Sequence, residues 1–422
     1  MKQMATGINP TIDKTAVLLM RENPNQAPEP YKMVELEGLA KAAGYTLLAE
    51  ITQRRGRDHR FQLGRGKIQE AMTYKPYRLI FYNPLSPGQV FNIRNEFSAS
   101  IIDRFNLILE IFASRASSRE AKLQVELARL TYDAPQVRNA ISLRKLGEQP
   151  GFGGLGAYEE SMYQDIRSRI AKIRSSLMDV EFIGEDRRQK RRELGFDLVA
   201  LAGYTNAGKS TLLNRLTHAG VEARDQLFTT LSPTTRALDM KGRKILLTDT
   251  VGFIDDLPHF MIKAFRSTLS EISQADLVLL MADISDPPEI LRLKLAASHK
   301  VLWDCGCQGP IITVFNKADQ LTRVEAKRRL KIVEDLAPSP VLISASTGWG
   351  FGDLIQMVRQ KLQPLREVQI KLPYTSEGMS ELSKLYDRAE LLNISYEEQM
   401  VVRLRGRDDI VTRALSSKVR QI

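Results

Sequence analysis

The sequence predicts an α/β protein, and three observations carry that prediction. Short apolar runs alternate with segments of helical spacing, as in a mostly parallel sheet with crossover helices. A glycine-bounded loop of the form G-x-x-x-x-G-K-S, Gly203 to Ser210, stands between an apolar run and a helix-like segment. A third stretch repeats apolar residues in steps of four and three, which marks long helices rather than a sheet. With 422 residues the chain exceeds one ordinary core, so about two to four domains are expected.

Residues 1–112 read as an N-terminal α/β subdomain. Ala16–Met20 looks like a buried strand, and Tyr31–Gly44 has helical spacing closed by a glycine stop. Tyr45–Ile51 and Arg78–Tyr82 read as further strands. Between them, Arg54–Lys67 holds six Lys/Arg against one acid, Asp58, a charge of +5. Such a segment is either a solvated loop or a contact for phosphate, from RNA backbone or from a second nucleotide.

Residues 113–195 change character. Leu123, Leu127 and Leu130 share one helix face, and Pro135 is expected to kink that helix. Ile166, Ile170, Ile173, Leu177 and Val180 form a coiled-coil seam. The two segments should fold back as an antiparallel helical hairpin. Unbroken from Tyr158 to Glu193, the second arm would span roughly 54 Å at the rise of an α-helix. The tip, Gly147–Gly156, includes Gly151, Gly153, Gly154 and Gly156, and reads either as a mobile or closely approaching loop or as a plain connector. Arg187–Arg192 follows as a basic linker with five cations in six residues.

Residues 196–364 carry the chemistry. Leu198–Ala202 is an apolar run that ends in Gly203, Tyr204, Thr205, Asn206, Ala207, Gly208, Lys209, Ser210 and Thr211. The glycines let backbone N–H groups turn inward around an anion, at the positive end of the helix that follows. Lys209 can reach the β- and γ-phosphates, and the Ser210 hydroxyl can ligate magnesium. Downstream, Lys244–Gly252 is a strand ending in D-x-x-G: Asp249, Thr250, Val251, Gly252. Asp249 is expected to hold magnesium through water, and the Gly252 N–H to bond the γ-phosphate. Phe228, Thr229, Thr230, Leu231 and Ser232 occupy the place of a switch loop, with Thr230 the choice for closing on magnesium and γ-phosphate and Thr229 its competitor.

Leu277–Ala282 reads as a fully buried strand, and Ile311–Phe315 leads into Asn316, Lys317, Ala318 and Asp319, an N-K-x-D motif. The Asp319 carboxylate can accept two hydrogen bonds from guanine, whereas adenine would leave that charge unpaired. Asn316 and the Lys317 stem frame the base. Ser344, Ala345 and Ser346 fit the last loop, with the Ala345 N–H directed at guanine O6. Four motifs in this order imply a site that binds and hydrolyses GTP. Residues 365–422 read as a small C-terminal α/β domain, with a strand at Val368–Leu372, a helix from Gly378 to Leu392 and a strand at Met400–Leu404.

Composition narrows the setting. A net charge of +11 suggests either a polyanionic partner, RNA first among candidates, or solvated surface charge. No run approaches the ~20 apolar residues of a membrane span, and no signal peptide is evident, so a cytoplasmic protein is expected. Cys305 and Cys307 are the only cysteines, too few for a disulfide framework or a four-ligand zinc site; packing near the start of a strand is their expected role, with redox pairing or metal binding as alternatives.

Outside the nucleotide motifs, Leu63–Ile68 (L-G-R-G-K-I), Asn83–Gln89 (N-P-L-S-P-G-Q), Ile102–Phe112 and Arg119–Ala128 resemble segments of the HflX family of ribosome-associated GTPases. The likeness covers nearly the whole chain. It departs at Gly151–Glu159, where bacterial members have G-P-G-E-[ST]-x-L-E. The resemblance implies a P-loop GTPase domain joined to the N-terminal subdomain, hairpin and C-terminal domain. It also implies GTP and GDP as ligands, magnesium as cofactor, and a monomer that binds the large ribosomal subunit and its rRNA to split or rescue stalled ribosomes. Some members also hydrolyse ATP through the N-terminal region. An RNA-binding assembly or storage factor, in which GTP only gates occupancy, is the alternative. Phe253 stands where a water-orienting glutamine is common and can neither donate nor accept through its side chain. Slow turnover alone, with acceleration by a partner, is therefore expected.

Overall fold

The computed structural model describes residues 14–145, 161, 163–179, 195–217, 234–240, 243–250, 252–254, 271–396, 398–408, 410–412 and 415. They form two compact units. One comprises the chain up to Ala116 together with Val125–Ile173, the other Ser117–Gln124 together with the chain from Arg174 onward.

The first unit is built on four parallel strands, β1 (Thr15–Glu22), β2 (Thr46–Arg54), β3 (Arg78–Phe81) and β4 (Ile101–Asp103), in the order β2-β1-β3-β4. Ala16–Met20 is buried throughout, as a central parallel strand with both faces covered should be. The helix Pro87–Phe97 shows why the segment L-S-P-G-Q, Leu85–Gln89, takes that form. Ser86 Oγ accepts from the Gln89 N–H at 3.3 Å, and Gln89 Oε1 accepts from the Ser86 N–H at 2.9 Å, a capping box that satisfies two helix-start donors. Gln89 is fully buried, and its amide also donates to the Asp58 carbonyl at 2.7 Å, which pins the basic loop. The cations of that loop have partners within their own unit: Arg54 reaches the carbonyls of Pro24 and Gln26, Lys67 pairs with Glu70, and Arg65 with Glu96.

Asp103 ends β4 and caps the helix Arg104–Arg115 by accepting from the Asn106 N–H at 3.0 Å. The same carboxylate receives the Tyr132 hydroxyl, which fastens the helix Arg119–Lys145 to the sheet. Pro135 lies inside that helix, which continues past it. Residues 163–179 are helical, with Ile173 buried and Ile166, Ile170 and Leu177 half-buried along the expected seam. Arg169 of this segment pairs with Glu126. The tip Gly147–Gly156, Val180 and the run Arg187–Arg192 lie outside the described residues.

The second unit contains a six-stranded sheet in the order β10-β9-β8-β5-β7-β6. Its strands are β5 (Asp197–Gly203), β6 (Thr234–Met240), β7 (Arg243–Asp249), β8 (Leu277–Asp283), β9 (Ile311–Asn316) and β10 (Val341–Leu342). Only β6 runs antiparallel, at the edge. The central strand β5 lies between β7 and β8, and its apolar run is buried for that reason. Cys305 caps the helix Pro288–Asp304, and Cys307 lies in the connection to β9. Both cysteines are half-buried, and burial lifts the Cys305 thiol to about 11, which disfavours a reactive thiolate there.

A three-stranded antiparallel sheet, β11-β13-β12, completes this unit: β11 (Arg366–Leu372), β12 (Glu390–Tyr396) and β13 (Met400–Gly406). The expected helix from Gly378 to Leu392 is corrected at both ends. It runs Ser376–Arg388, capped by the Thr375 side chain, and residues 390–392 open β12 instead. Leu391 and Ile394 pack on the cluster of Ile370, Leu372, Leu385, Val402 and Leu404, and sheet pairing with β13 overrides helix propensity there. Just after β13, Arg407 donates to Asp197 Oδ1 and to the Phe196 carbonyl, both at 3.0 Å, at the foot of β5. Arg243 pairs with the other oxygen of the buried Asp197 carboxylate at 3.2 Å.

Candidate nucleotide site

Strands β5, β7, β8, β9 and β10 are parallel, so their carboxyl ends gather at one edge, where open α/β sheets take ligands. Four of the predicted segments meet there. Gly203 leaves β5 with φ +134, and a Cβ on it would lie 2.2 Å from the Met281 carbonyl oxygen, so no larger residue fits. Asn206 adopts φ 63, a left-handed conformation that asparagine tolerates. Gly208 has φ +93, and its Cβ would lie 2.1 Å from Asn316 Nδ2. The helix Lys209–Thr217, which contains Thr211, begins immediately afterwards.

Lys209 is buried, with 7% exposure, and its ammonium donates to the carbonyls of Gly203 at 2.9 Å and Tyr204 at 2.8 Å. Burial pushes its pKa down to about 8, with the Asp249 charge opposing. The Ser210 hydroxyl donates to Asp249 Oδ2 at 2.6 Å, and the Thr250 hydroxyl to the Leu201 carbonyl at 2.6 Å. Gly252 approaches the loop so closely that a Cβ would meet Thr205 Cγ2 at 2.7 Å and Lys209 Nζ at 3.1 Å. Next to it, the Phe253 N–H donates to the Gly203 carbonyl at 3.0 Å and the Phe253 carbonyl accepts from the Thr205 N–H at 2.9 Å.

Asn316 joins three loops. Its Nδ2 donates to the Ala207 carbonyl and its Oδ1 accepts from the Ala345 N–H, each at 2.8 Å. The phosphate loop is thereby held to the N-K-x-D segment and to Ser344–Ser346. Ser344 Oγ and Ser346 Oγ are 3.0 Å apart, and the Ser344 hydroxyl also receives the Thr347 N–H. Lys317 adopts φ 64, and its ammonium pairs with Asp283 at 2.7 Å. Ala318 and Asp319 lie in a short 3-10 turn, with Asp319 exposed. Phe228, Thr229, Thr230, Leu231, Ser232 and Val251 lie outside the described residues.

Sequence reasoning missed the loop behind this site. Asp283 accepts from the Ser285 N–H and hydroxyl at 2.9 and 2.6 Å, and Lys294 pairs with Asp286 at 2.6 Å. Arg329 donates to three successive carbonyls, of Ile284, Ser285 and Asp286. A cleft of about 110 Å³ opens between Tyr204, Met281, Asp286, Leu291 and Lys294. The only sequence signal was an acid closing an apolar strand. Arg329 is one of several cations on its helix and was indistinguishable from them.

A hydroxyl and a carboxylate at hydrogen-bond distance form a hard oxygen pair of the kind magnesium accepts alongside phosphate oxygens and water. Among the described residues, no group of three or more His, Cys, Asp or Glu could hold a metal by itself. Nor is any described helix long and apolar enough to cross a membrane.

Residues 198–317 match the family described as 50S ribosome-binding GTPase. Residues 30–113 match the GTP-binding GTPase N-terminal family, and 115–191 the GTP-binding GTPase middle region. The chain is 43% identical over 362 residues to GTPase HflX of Thermococcus kodakarensis, covering 83% of this chain and 80% of that one. It is 39% identical over 389 residues to GTPase HflX of Methanocaldococcus jannaschii, covering 90% and 94%. A solved structure described as SsGBP in complex with GDP superposes with a TM-score of 0.52 at 28% identity, over 82% of this chain and 98% of that one. A phosphate loop held to an N-K-x-D segment, within a chain so similar to these relatives along most of its length, places the protein in the HflX family of P-loop GTPases, enzymes that bind and hydrolyse GTP.

Proposed function

We propose that the protein uses magnesium-GTP at this edge to act on the large ribosomal subunit, splitting or rescuing stalled ribosomes as a cytoplasmic monomer. The joint at Asn316 carries the reading, because it couples the loop shaped for phosphates to the segment shaped for guanine. The N–H groups of Gly203–Thr211 cradle the phosphates, and Lys209 exchanges its two loop carbonyls for β- and γ-oxygens. Asp319 selects guanine, Asn316 and Lys317 frame the base, and Ala345 N–H bonds O6. Ser210 and Asp249, with Thr230, hold magnesium, which when bound neutralises charge on the phosphates. The Gly252 N–H binds the γ-phosphate, and water attacks γ-phosphorus in line as Lys209 stabilises the developing charge.

Phe253 offers the attacking water no polar side-chain group, so turnover is slow until a partner supplies one. Residues 1–112 and 113–195 are assigned to ribosome engagement and 196–364 to the switch. Two measurements test this. The GTPase rate is compared with and without large subunits, for the natural chain and for Lys209→Ala. Sucrose-gradient profiles are taken with GTP, a non-hydrolysable analogue and GDP. Stimulated hydrolysis, with free subunits appearing only with the triphosphates, supports the proposal. Binding without subunit release identifies an assembly or storage factor instead.

A further inference from the structure

We propose that Asp283, at the carboxyl end of β8, is a positioning residue for base recognition: it holds the Lys317 ammonium so that the lysine stem lies taut against guanine. This rests on the assignment of Asn316–Asp319 to the base. Lys317 stands at φ 64, a conformation that side chains rarely adopt, so its backbone sets where the stem begins. The ion pair to Asp283 at 2.7 Å sets where the stem ends. A four-carbon chain fixed at both ends loses most of its rotamer freedom before any ligand arrives, and a preorganised wall costs less to bind against.

Asp283 is itself held. One carboxylate oxygen receives the Ser285 N–H and hydroxyl, and the Ile284 N–H donates to the Asn316 carbonyl at 3.0 Å, which joins the loop to the motif it serves. From behind, Arg329 gathers the carbonyls of Ile284, Ser285 and Asp286 at 3.1, 2.7 and 2.6 Å, and Glu325 orients its guanidinium at 2.7 Å. Asp286 is paired with Lys294 at 2.6 Å, and Lys317 acts on it only as a lesser, more distant charge. The charges that face Asp283 therefore leave Lys317 as its cation, and the clamp keeps the carboxylate from following a moving lysine.

The test is Asp283→Asn, which keeps the shape and removes the charge. KM for GTP and Kd for GDP should both weaken about tenfold, while kcat at saturating GTP stays within about twofold, because the tether touches the base and not the phosphates. Asp283→Glu should recover most of the affinity, and Ser285→Ala should weaken both nucleotides about twofold to threefold. Thermal melts of each variant identify any loss of the fold, and Ser285→Ala remains informative if Asp283→Asn does not fold. Unchanged affinity in both variants, a fall in kcat without a change in KM, or no recovery with glutamate would overturn the proposal. Asp319→Asn separates the two levels. If it still prefers GTP to xanthosine triphosphate, the base assignment fails. If it exchanges that preference while Asp283→Asn is silent, only the role of Asp283 fails.

Discussion

Replacing Gly208 by alanine should injure the nucleotide site through Asn316, and a double-mutant cycle can show it. At φ +93 an L-residue costs about 1–2 kcal/mol in backbone strain alone. The new Cβ would also sit 2.1 Å from Asn316 Nδ2, so the amide must move and release its bonds to the Ala207 carbonyl and the Ala345 N–H. Two buried hydrogen bonds at about 1–1.5 kcal/mol each bring the total to about 3–5 kcal/mol. If that loss falls on the bound state, affinity for a fluorescent GDP analogue drops about 100-fold to 4000-fold. In an Asn316→Ala background there is no amide left to displace. Gly208→Ala should then cost only the strain, leaving a coupling of about 2–3 kcal/mol between the two positions. Additivity within about 0.5 kcal/mol would refute the steric reasoning and attribute the whole effect to φ.

Three further outcomes follow from the same geometry. The folded-state pKa of Lys209 lies at about 8, below the unfolded value of 10.5, so charging it opposes folding below pH 8. Nucleotide-free stability should therefore rise by about 3 kcal/mol between pH 8 and 10.5 relative to Lys209→Met, and parallel pH profiles in denaturant melts would contradict this. Asp319→Asn should lower the preference for GTP over xanthosine triphosphate by at least about 100-fold, measured by competition binding, since the amide can no longer accept both guanine donors. Asp197→Ala removes the carboxylate that Arg243 and Arg407 share, leaving Arg407 only Asp276 at 3.8 Å, and should cost about 3 kcal/mol in a denaturant melt; a loss below about 1 kcal/mol would show that the network is dispensable.

The nucleotide edge was legible because its chemistry is local. Gly203, Gly208, Lys209, Asp249 and Asn316 each sit beside a strand end whose apolar run announces it, and steric demands leave few alternatives at those positions. What stayed hidden depends on residues distant in sequence. Asp283 matters through a lysine 34 positions away, and nothing in Asp283–Asp286 by itself indicates that a helix beginning at Arg323 will gather its carbonyls. In sequence, β12 reads as the end of a helix because Glu390–Leu392 continues the preceding helical spacing, and only pairing with β13 decides the matter. The edge strand β6, Thr234–Met240, carries no long apolar run and gave no signal. In the first unit the charged loop Arg54–Lys67 was legible as basic, but the acids and carbonyls its cations meet lie as far away as Pro24 and Glu96.

The clasp between Arg407 and Asp197 bears on how the protein is made. The two residues are 210 positions apart, yet the carboxylate at the foot of the first nucleotide strand is complete only when both of its arginines are present. At about 5–20 residues per second, a ribosome synthesising this chain needs about 10–40 s to travel from one to the other. Once Arg243 is made, the newborn GTPase sheet carries a half-compensated acid at its base until Arg407 arrives. Its final tightening is thus reserved for a moment after the three-stranded sheet has emerged, so the GTPase core closes only once β13 is made rather than ahead of it.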